Sequence, residues 1–415
     1  MTTRQAKCSL LRVPLDRPAT DLRLWPLDPK IVFLNHGSFG SCPRPVLEFQ
    51  RQLQDRIERQ PIQFFVRDFE GLLDEARSAL AKFLGADTSD LVFVSNATSG
   101  VNAVLRSLRF RPGDELLVTD HEYNACRNAV DFVAAQSRAR VVVVRVPFPL
   151  QRAAQITEAI LSAVTRRTQL ALLDHVTSQT GLVLPIARLV RELDRSGVDT
   201  LVDGAHAPGM LPVNLNQLGA AYYTGNCHKW ICAPKGAAFL HVRHDRQKLI
   251  RPLVISHGAN SPQTDQSRFL IEFGWMGTDD PTACLSVPEA LRVVGSALPG
   301  GWPTVMRRNR ELTLAGRTVL CQRLRIPLPC PDELIGSLAA LPIPDAADAK
   351  LSNNPLYLDP LQEKLLRRHG IEVPIIPWPA PPKRVLRISA QLYNSLPQYE
   401  RLAKALVETL PLKRE

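Results

Sequence analysis

Between residues 88 and 242 the chain repeats one pattern, a short continuous apolar run followed by a longer stretch with helical spacing. The runs are LVFVS (91–95), ELLVT (115–119), VVVVRV (141–146), LALLDHV (170–176), TLVDGA (200–205), AAYYTG (220–225) and AAFLHV (237–242). TSGVNAVLRSLRF, YNACRNAVDFVAAQ, AQITEAILSAV and PIARLVRELDRSG carry the helical patterns between them. Strands apolar on both faces and joined by helices belong to a mostly parallel sheet covered on both sides. The expected fold class is therefore α/β, with a seven-stranded, mostly parallel sheet flanked by helices. Ligands of such sheets sit beyond the carboxyl ends of the strands. The polar clusters SNATSG, TDHEYN, DHVTSQTG, DGAHAPG and TGNCHKW fall there.

At 415 residues the chain exceeds what one hydrophobic core organises. After about residue 280 the texture changes to helices and short strands separated by proline-rich links. We expect an N-terminal segment over 1–30 packing on the small domain, a large domain over 31–280 and a smaller α+β domain over 281–415.

Composition removes several classes of function. No apolar run approaches the roughly 18 residues of a membrane span, and the first residues lack a signal-like apolar core, so the expectation is a cytoplasmic protein without membrane association. The eight cysteines, at 8, 42, 126, 227, 232, 284, 321 and 330, show no metal-like spacing and read as reduced thiols, with no metal expected. A formal charge of +11 suits anionic ligands. There is no basic run interleaved with aromatics, so nucleic acid is not an expected partner.

The chemistry concentrates in a few residues. Ser95-Asn96 followed by Ala97-Thr98-Ser99-Gly100 opens a helix after a strand, presenting free N–H groups and hydroxyls to an anion; the same pattern also serves as a plain cap. Asp203 ends a buried strand, where it is either a turn former or a carboxylate in need of a cationic partner. His206 follows three residues later. Lys229, one strand further on, is placed to be a desolvated amine of lowered pKa, usable as a Schiff-base nucleophile. Arg387 alternates with Leu386 and Ile388 and can point into a cleft. An anion pocket, an acid for a ring nitrogen, an amine and a carboxylate clamp are together the parts that hold pyridoxal 5'-phosphate and an amino acid. Glycine-rich nucleotide loops and the G-x-S-x-G elbow are absent from the sequence.

LNHGSFG, SNATSGVN, DGAHAPG and HKW…PKG occur in this order. With them the chain resembles the class V aminotransferase superfamily, pyridoxal phosphate enzymes of fold type I, in the isopenicillin N epimerase-like branch. The resemblance implies that Lys229 carries the cofactor aldehyde, Asp203 pairs with the pyridine nitrogen and His206 lies beside the phenolic oxygen. It implies Tyr123 as the aromatic stacked on the ring, and Thr98, Ser99 and His228 as phosphate contacts. Thr278 would complete the phosphate site from a partner subunit, in a homodimer with shared active sites. Arg387 would clamp the substrate carboxylate, with Asn35 and His36 near the substrate entrance.

The related cysteine desulfurases use a catalytic cysteine in a loop before the segment matching RISAQLYN. No cysteine follows Cys330 here, so that chemistry lacks its nucleophile. The expected activity is α-proton abstraction from an amino acid or its derivative. Return of a proton to the opposite face gives an epimerase, with Tyr123, His36 or water as the second acid; loss of a β-substituent gives a carbon-sulfur lyase. Transamination and an inactive cofactor-binding relative are the remaining readings.

Overall fold

The computed structural model describes residues 13–346 and 358–410. Strand β1 (Val32–Phe33) and helices α1 (His36–Phe39), α2 (Arg44–Arg59) and α3 (Phe69–Leu84) precede the sheet. The seven apolar runs form β2 (Leu91–Val94), β3 (Glu115–Thr119), β4 (Arg140–Val144), β5 (Thr168–Asp174), β6 (Asp199–Asp203), β7 (Tyr222–Asn226) and β8 (Ala238–Val242). They lie in the order β2-β8-β7-β6-β5-β3-β4. β8 runs antiparallel to both its neighbours, and the other adjacent pairs are parallel. The fold is α/β of type I, with the mostly parallel sheet that the run pattern implies.

Continuous apolar strands are required because both faces are covered. Leu170 and Leu172 of β5 join one core cluster, while Ala171 and Leu173 join the cluster on the other face. Among the connecting helices, α4 (Ala97–Ser107) and α5 (Asn124–Ser137) start directly beyond strand ends and so bring their first turns to the carboxyl edge. The α6 (Ala154–Ser162) and α7 (Ile186–Arg195) helices cover the face of Ala171 and Leu173 through Ile156, Ile160, Leu189 and Leu193. Each such side chain, fully buried, contributes on the order of 1.5–3 kcal/mol.

The C-terminal region adds an antiparallel sheet of β9 (Leu338–Ile343), β11 (Ile375–Pro377) and β12 (Arg384–Ser389), in the order β11-β12-β9. The short strand β10 (Ile371–Glu372) pairs in parallel with β1. The start of the segment assigned from sequence to the large domain is thus hydrogen-bonded to the C-terminal region. Leu34 accepts from Ser389 N and donates to Glu372 O, which brings the His36 segment beside β12.

Residues 13–25 also touch the C-terminal region. Ala19 N donates to Leu392 O, Leu396 N donates to Leu15 O, and Trp25 packs edge-on against Tyr393. Arg308 lies under this segment, its guanidinium donating to the carbonyls of Arg17, Gln391 and Asn394. Residues 1–12 of the expected N-terminal segment, including Cys8, lie outside the described residues.

Candidate active site

The loop after β7 carries Lys229 and is gripped from two sides by glycines that no other residue could replace without a clash. Gly40, at φ +71°, approaches so closely that a Cβ there would lie 2.3 Å from His228 O. Gly209, at φ +86°, lies where a Cβ would be 2.5 Å from the Trp230 carbonyl carbon. Both positions need a left-handed backbone as well as an absent side chain. His36 adds a third hold, with Nε2 donating to Lys229 O at 3.0 Å and Nδ1 accepting from the Tyr393 hydroxyl at 2.8 Å. Through these contacts LNHGSFG, DGAHAPG and HKW…PKG, far apart in the chain, shape the same loop.

Lys229 points its Nζ to 3.1 Å from His206 Nε2. Burial, aided by the positive charge of Arg387, lowers its pKa to about 8. His206 is buried, and burial followed by Lys229 holds its pKa well below the usual histidine value. Asp203 ends β6 with Oδ1 accepting from Ala205 N at 2.9 Å and Oδ2 accepting from Cys126 Sγ at 3.2 Å. Burial raises its pKa, and the nearby Lys229 opposes that shift. Asp174, its register partner on β5, is equally buried and has an oxygen without a hydrogen-bond partner.

Arg387, on β12, is buried and donates to the carbonyl of Ser178 and to Ser38 Oγ at 2.9 Å. Its Nε has no partner. Burial lowers even this guanidinium, to about 10. A buried guanidinium held by neutral oxygens, with donor capacity to spare, is built for an anion supplied from outside the protein.

At the other end of the site, Asn96 caps α4 by accepting from Ser99 N at 2.8 Å. Thr98 and Ser99 therefore lie in the first turn and are not themselves the cap. Asn226, at the end of β7, accepts from Ala97 N at 2.9 Å and so ties this helix start to the strand leading to Lys229. His228 Nδ1 donates to Ala237 O at 3.0 Å, and burial lowers its pKa to about 4.

Other sequence-derived candidates occupy different surroundings. Tyr123 precedes α5, is 40% exposed and adds a favourable electrostatic influence on Arg387. His36 is buried behind the lysine loop, not at an opening, because both ring nitrogens serve that loop and Tyr393. Asn35 donates to Glu372 and accepts from Ser38, the residue that receives Arg387. Thr278 is exposed and lines a cavity of about 500 Å³ together with Phe65, Phe69, Ser95, Ser99 and Trp275.

Glu122, Cys126, Asp174, Ser178, Gln179 and Ser38 were not selected from sequence, although each is in or beside this cluster. The signal available was position alone, since all but Ser38 and Cys126 stand in polar clusters at strand ends.

The donor set fits pyridoxal phosphate. It comprises a lysine amine of lowered pKa, a buried carboxylate for a ring nitrogen, a histidine beside the amine, a capped helix start for a phosphate and an unsaturated guanidinium. The profile of the family described as aminotransferase class-V matches residues 48–312. The chain is 35% identical over 392 residues to an isopenicillin N epimerase of Streptomyces clavuligerus, covering 92% of this chain and 95% of that protein. It is 32% identical over 404 residues to a probable chloroplastic L-cysteine desulfhydrase of Arabidopsis thaliana, covering 91% of this chain and 83% of the relative. A solved structure of a C-DES mutant with glycine covalently linked to its PLP cofactor superposes with a TM-score of 0.76 at 22% identity, covering 94% of this chain and 99% of that one. Family profile and relatives agree: the chain belongs to the class-V aminotransferase family and is a pyridoxal phosphate-dependent enzyme.

Proposed function

We propose that this enzyme removes the α-proton of an amino acid or amino-acid derivative and returns a proton to the opposite face, as an epimerase of the isopenicillin N epimerase kind. The observation that carries the proposal is Lys229, a buried amine whose pKa burial and Arg387 lower to about 8, in a site where the Arg387 guanidinium is left unsaturated. The 35% identical epimerase, matched over most of both chains, supports this reaction.

In this reading Lys229 holds the cofactor's aldehyde carbon, Asp203 its ring nitrogen and His206 its phenolic oxygen. Tyr123 covers the ring, and Thr98, Ser99 and His228 hold the phosphate. When bound, the cofactor supplies the electron sink that makes an α-C–H bond acidic. Arg387, oriented by Ser38 and the Ser178 carbonyl, fixes the substrate carboxylate. Lys229, once its amine is free, takes the α-proton as a general base, a role suited to a pKa near the working pH. Asn35 acts one step back, by orienting Ser38. A buried His36 keeps the loop carbonyl of Lys229 in place.

A second reading is a carbon-sulfur lyase, in which a β-substituent leaves after the same proton abstraction. The 32% identical desulfhydrase supports it. Both readings share every residue named above.

The proposal extends to a homodimer and to the cytoplasm. Ile62, Val66, Val254 and Ile255 are between 53% and 71% exposed, an apolar surface suited to a second copy. Thr278 stands in the cavity that also holds Ser99, where a neighbouring subunit would meet the phosphate site. The cysteines among the described residues are free thiols, as a reducing compartment favours. No helix among the described residues is long and apolar enough to cross a membrane.

The test is a titration of the purified protein with L-amino acids and sulfur-containing derivatives in deuterated water. Deuterium entering an otherwise intact product of inverted configuration establishes the epimerase. Release of pyruvate, ammonia or a thiol establishes the lyase. Absence of any cofactor absorbance, with pyridoxal phosphate added, overturns both.

A further inference from the structure

The carboxylate at the end of β6 has a second acid beside it. One carboxyl oxygen each from Glu122 and Asp203, together with Cys126 Sγ, lie within 4.8 Å of one another, and all three residues are buried. Asp174, the register partner of Asp203 on β5, lies near both. Like charges this close in a water-poor site do not both ionise, so a proton must reside on one of the two.

The company each carboxyl keeps decides which one holds it. Asp203 accepts from Ala205 N and Cys126 Sγ, and it has Lys229 as a cationic neighbour. Glu122 accepts only from Tyr123 N, at 3.1 Å, while its Oε2 is buried with no partner. Its cationic neighbour Arg127 is already engaged by Asp131. Burial is the main influence against its charged form, and the neighbouring carboxyls of Asp174 and Asp203 act in the same direction. Strand order separates Glu122 from Lys229, since β3 and β7 lie on opposite sides of the β5-β6 pair.

We propose that Glu122 is the proton-holding member of this pair, a neutral carboxylic acid whose presence leaves Asp203 as the anion of the two. Its functional meaning rests on the reading of Asp203 as the partner of the cofactor's ring nitrogen. Glu122 is then a positioning residue. It fills the space beside Asp203 with a polar group and adds no negative charge of its own, so it does not compete with Asp203 for a protonated ring nitrogen.

The test is infrared difference spectroscopy of the full chain across pH, comparing wild type with Glu122→Gln. The expected result at neutral pH is a protonated-carboxyl carbonyl band present in the wild type and lost in the variant. In Asp203→Asn, where the like charge is gone, the pH at which this band disappears falls by about one unit or more. Glutamate labelled with carbon-13 at the side-chain carboxyl shifts the same band in the wild type, so the assignment stands even if Glu122→Gln does not fold. No neutral-acid band attributable to Glu122 would overturn the proposal, as would a band whose midpoint ignores Asp203→Asn. Reconstitution with pyridoxal phosphate in parallel separates the two layers: a missing chromophore defeats the cofactor role of Asp203, whereas the infrared result alone decides the proton on Glu122.

Discussion

His206 stands between Trp230 and Lys229 with one ring nitrogen turned to each: the indole Nε1 donates to Nδ1 at 3.4 Å, and Nε2 lies 3.1 Å from Lys229 Nζ. An indole N–H can only donate, so Nδ1 must be the unprotonated nitrogen and Nε2 must carry the hydrogen. That hydrogen finds an acceptor only if Lys229 has lost a proton. The relay is therefore complete only for the free amine, and it favours the same form that burial and Arg387 favour.

For Lys229 the expected outcome is a rate of pyridoxal phosphate uptake by the cofactor-free chain that rises with pH through a midpoint of about 8. The sign follows from chemistry, because the unprotonated amine is the nucleophile and its fraction grows as pH passes the pKa. Stopped-flow absorbance reads the rate. Lys229→Ala should show no borohydride-reducible chromophore, and an unchanged one would remove the lysine from its assigned place.

Asp203→Asn keeps the shape of the side chain and removes its charge. Deuterium exchange at the substrate α-carbon should fall on the order of 10²–10³-fold, the scale of losing one preorganised electrostatic partner. Cofactor retention should change much less, because Lys229 and the phosphate contacts remain. Comparable exchange rates in both proteins would argue against a ring-nitrogen role.

Arg387→Ala should raise KM for substrates with a free α-carboxylate by roughly 10–100-fold, corresponding to the ~1.5–3 kcal/mol of a hydrogen bond to a charged group. Decarboxylated analogues serve as the control. Equal losses for both substrate types would place the clamp elsewhere.

Gly40→Ala combines a left-handed backbone with a Cβ 2.3 Å from His228 O. The backbone part costs about 1–2 kcal/mol and the overlap about 1–3 more. Gly113→Ala provides the comparison, since Gly113 has φ +90° with open space around it and should incur the backbone cost alone. Thermal unfolding checks the difference, and cofactor affinity should drop only in Gly40→Ala because only that glycine shapes the lysine loop.

The parts legible in the sequence are those governed by local pattern. Apolar continuity identifies the seven strands because both sheet faces are buried, and the strand ends direct attention to Asp203 and Lys229. The family motifs add expected roles for His206 and Arg387 and the residues proposed to hold a phosphate. No periodicity marks Glu122, Ser178, Gln179 or Ser38, which are ordinary polar residues until strand order sets their loops side by side.

His36 illustrates the division. Its motif directs attention to the substrate entrance, yet pairing of β1 with β10 and the close approach of Gly40 seat it behind Lys229. By itself the sequence determined the sheet, its strands and the chemical types of the principal residues, because burial on two faces imposes a local signature. Only the tertiary structure decided which carboxyls stand side by side, which carbonyl orients Arg387 and what holds the lysine loop, because those relations depend on contacts between residues as many as 357 positions apart.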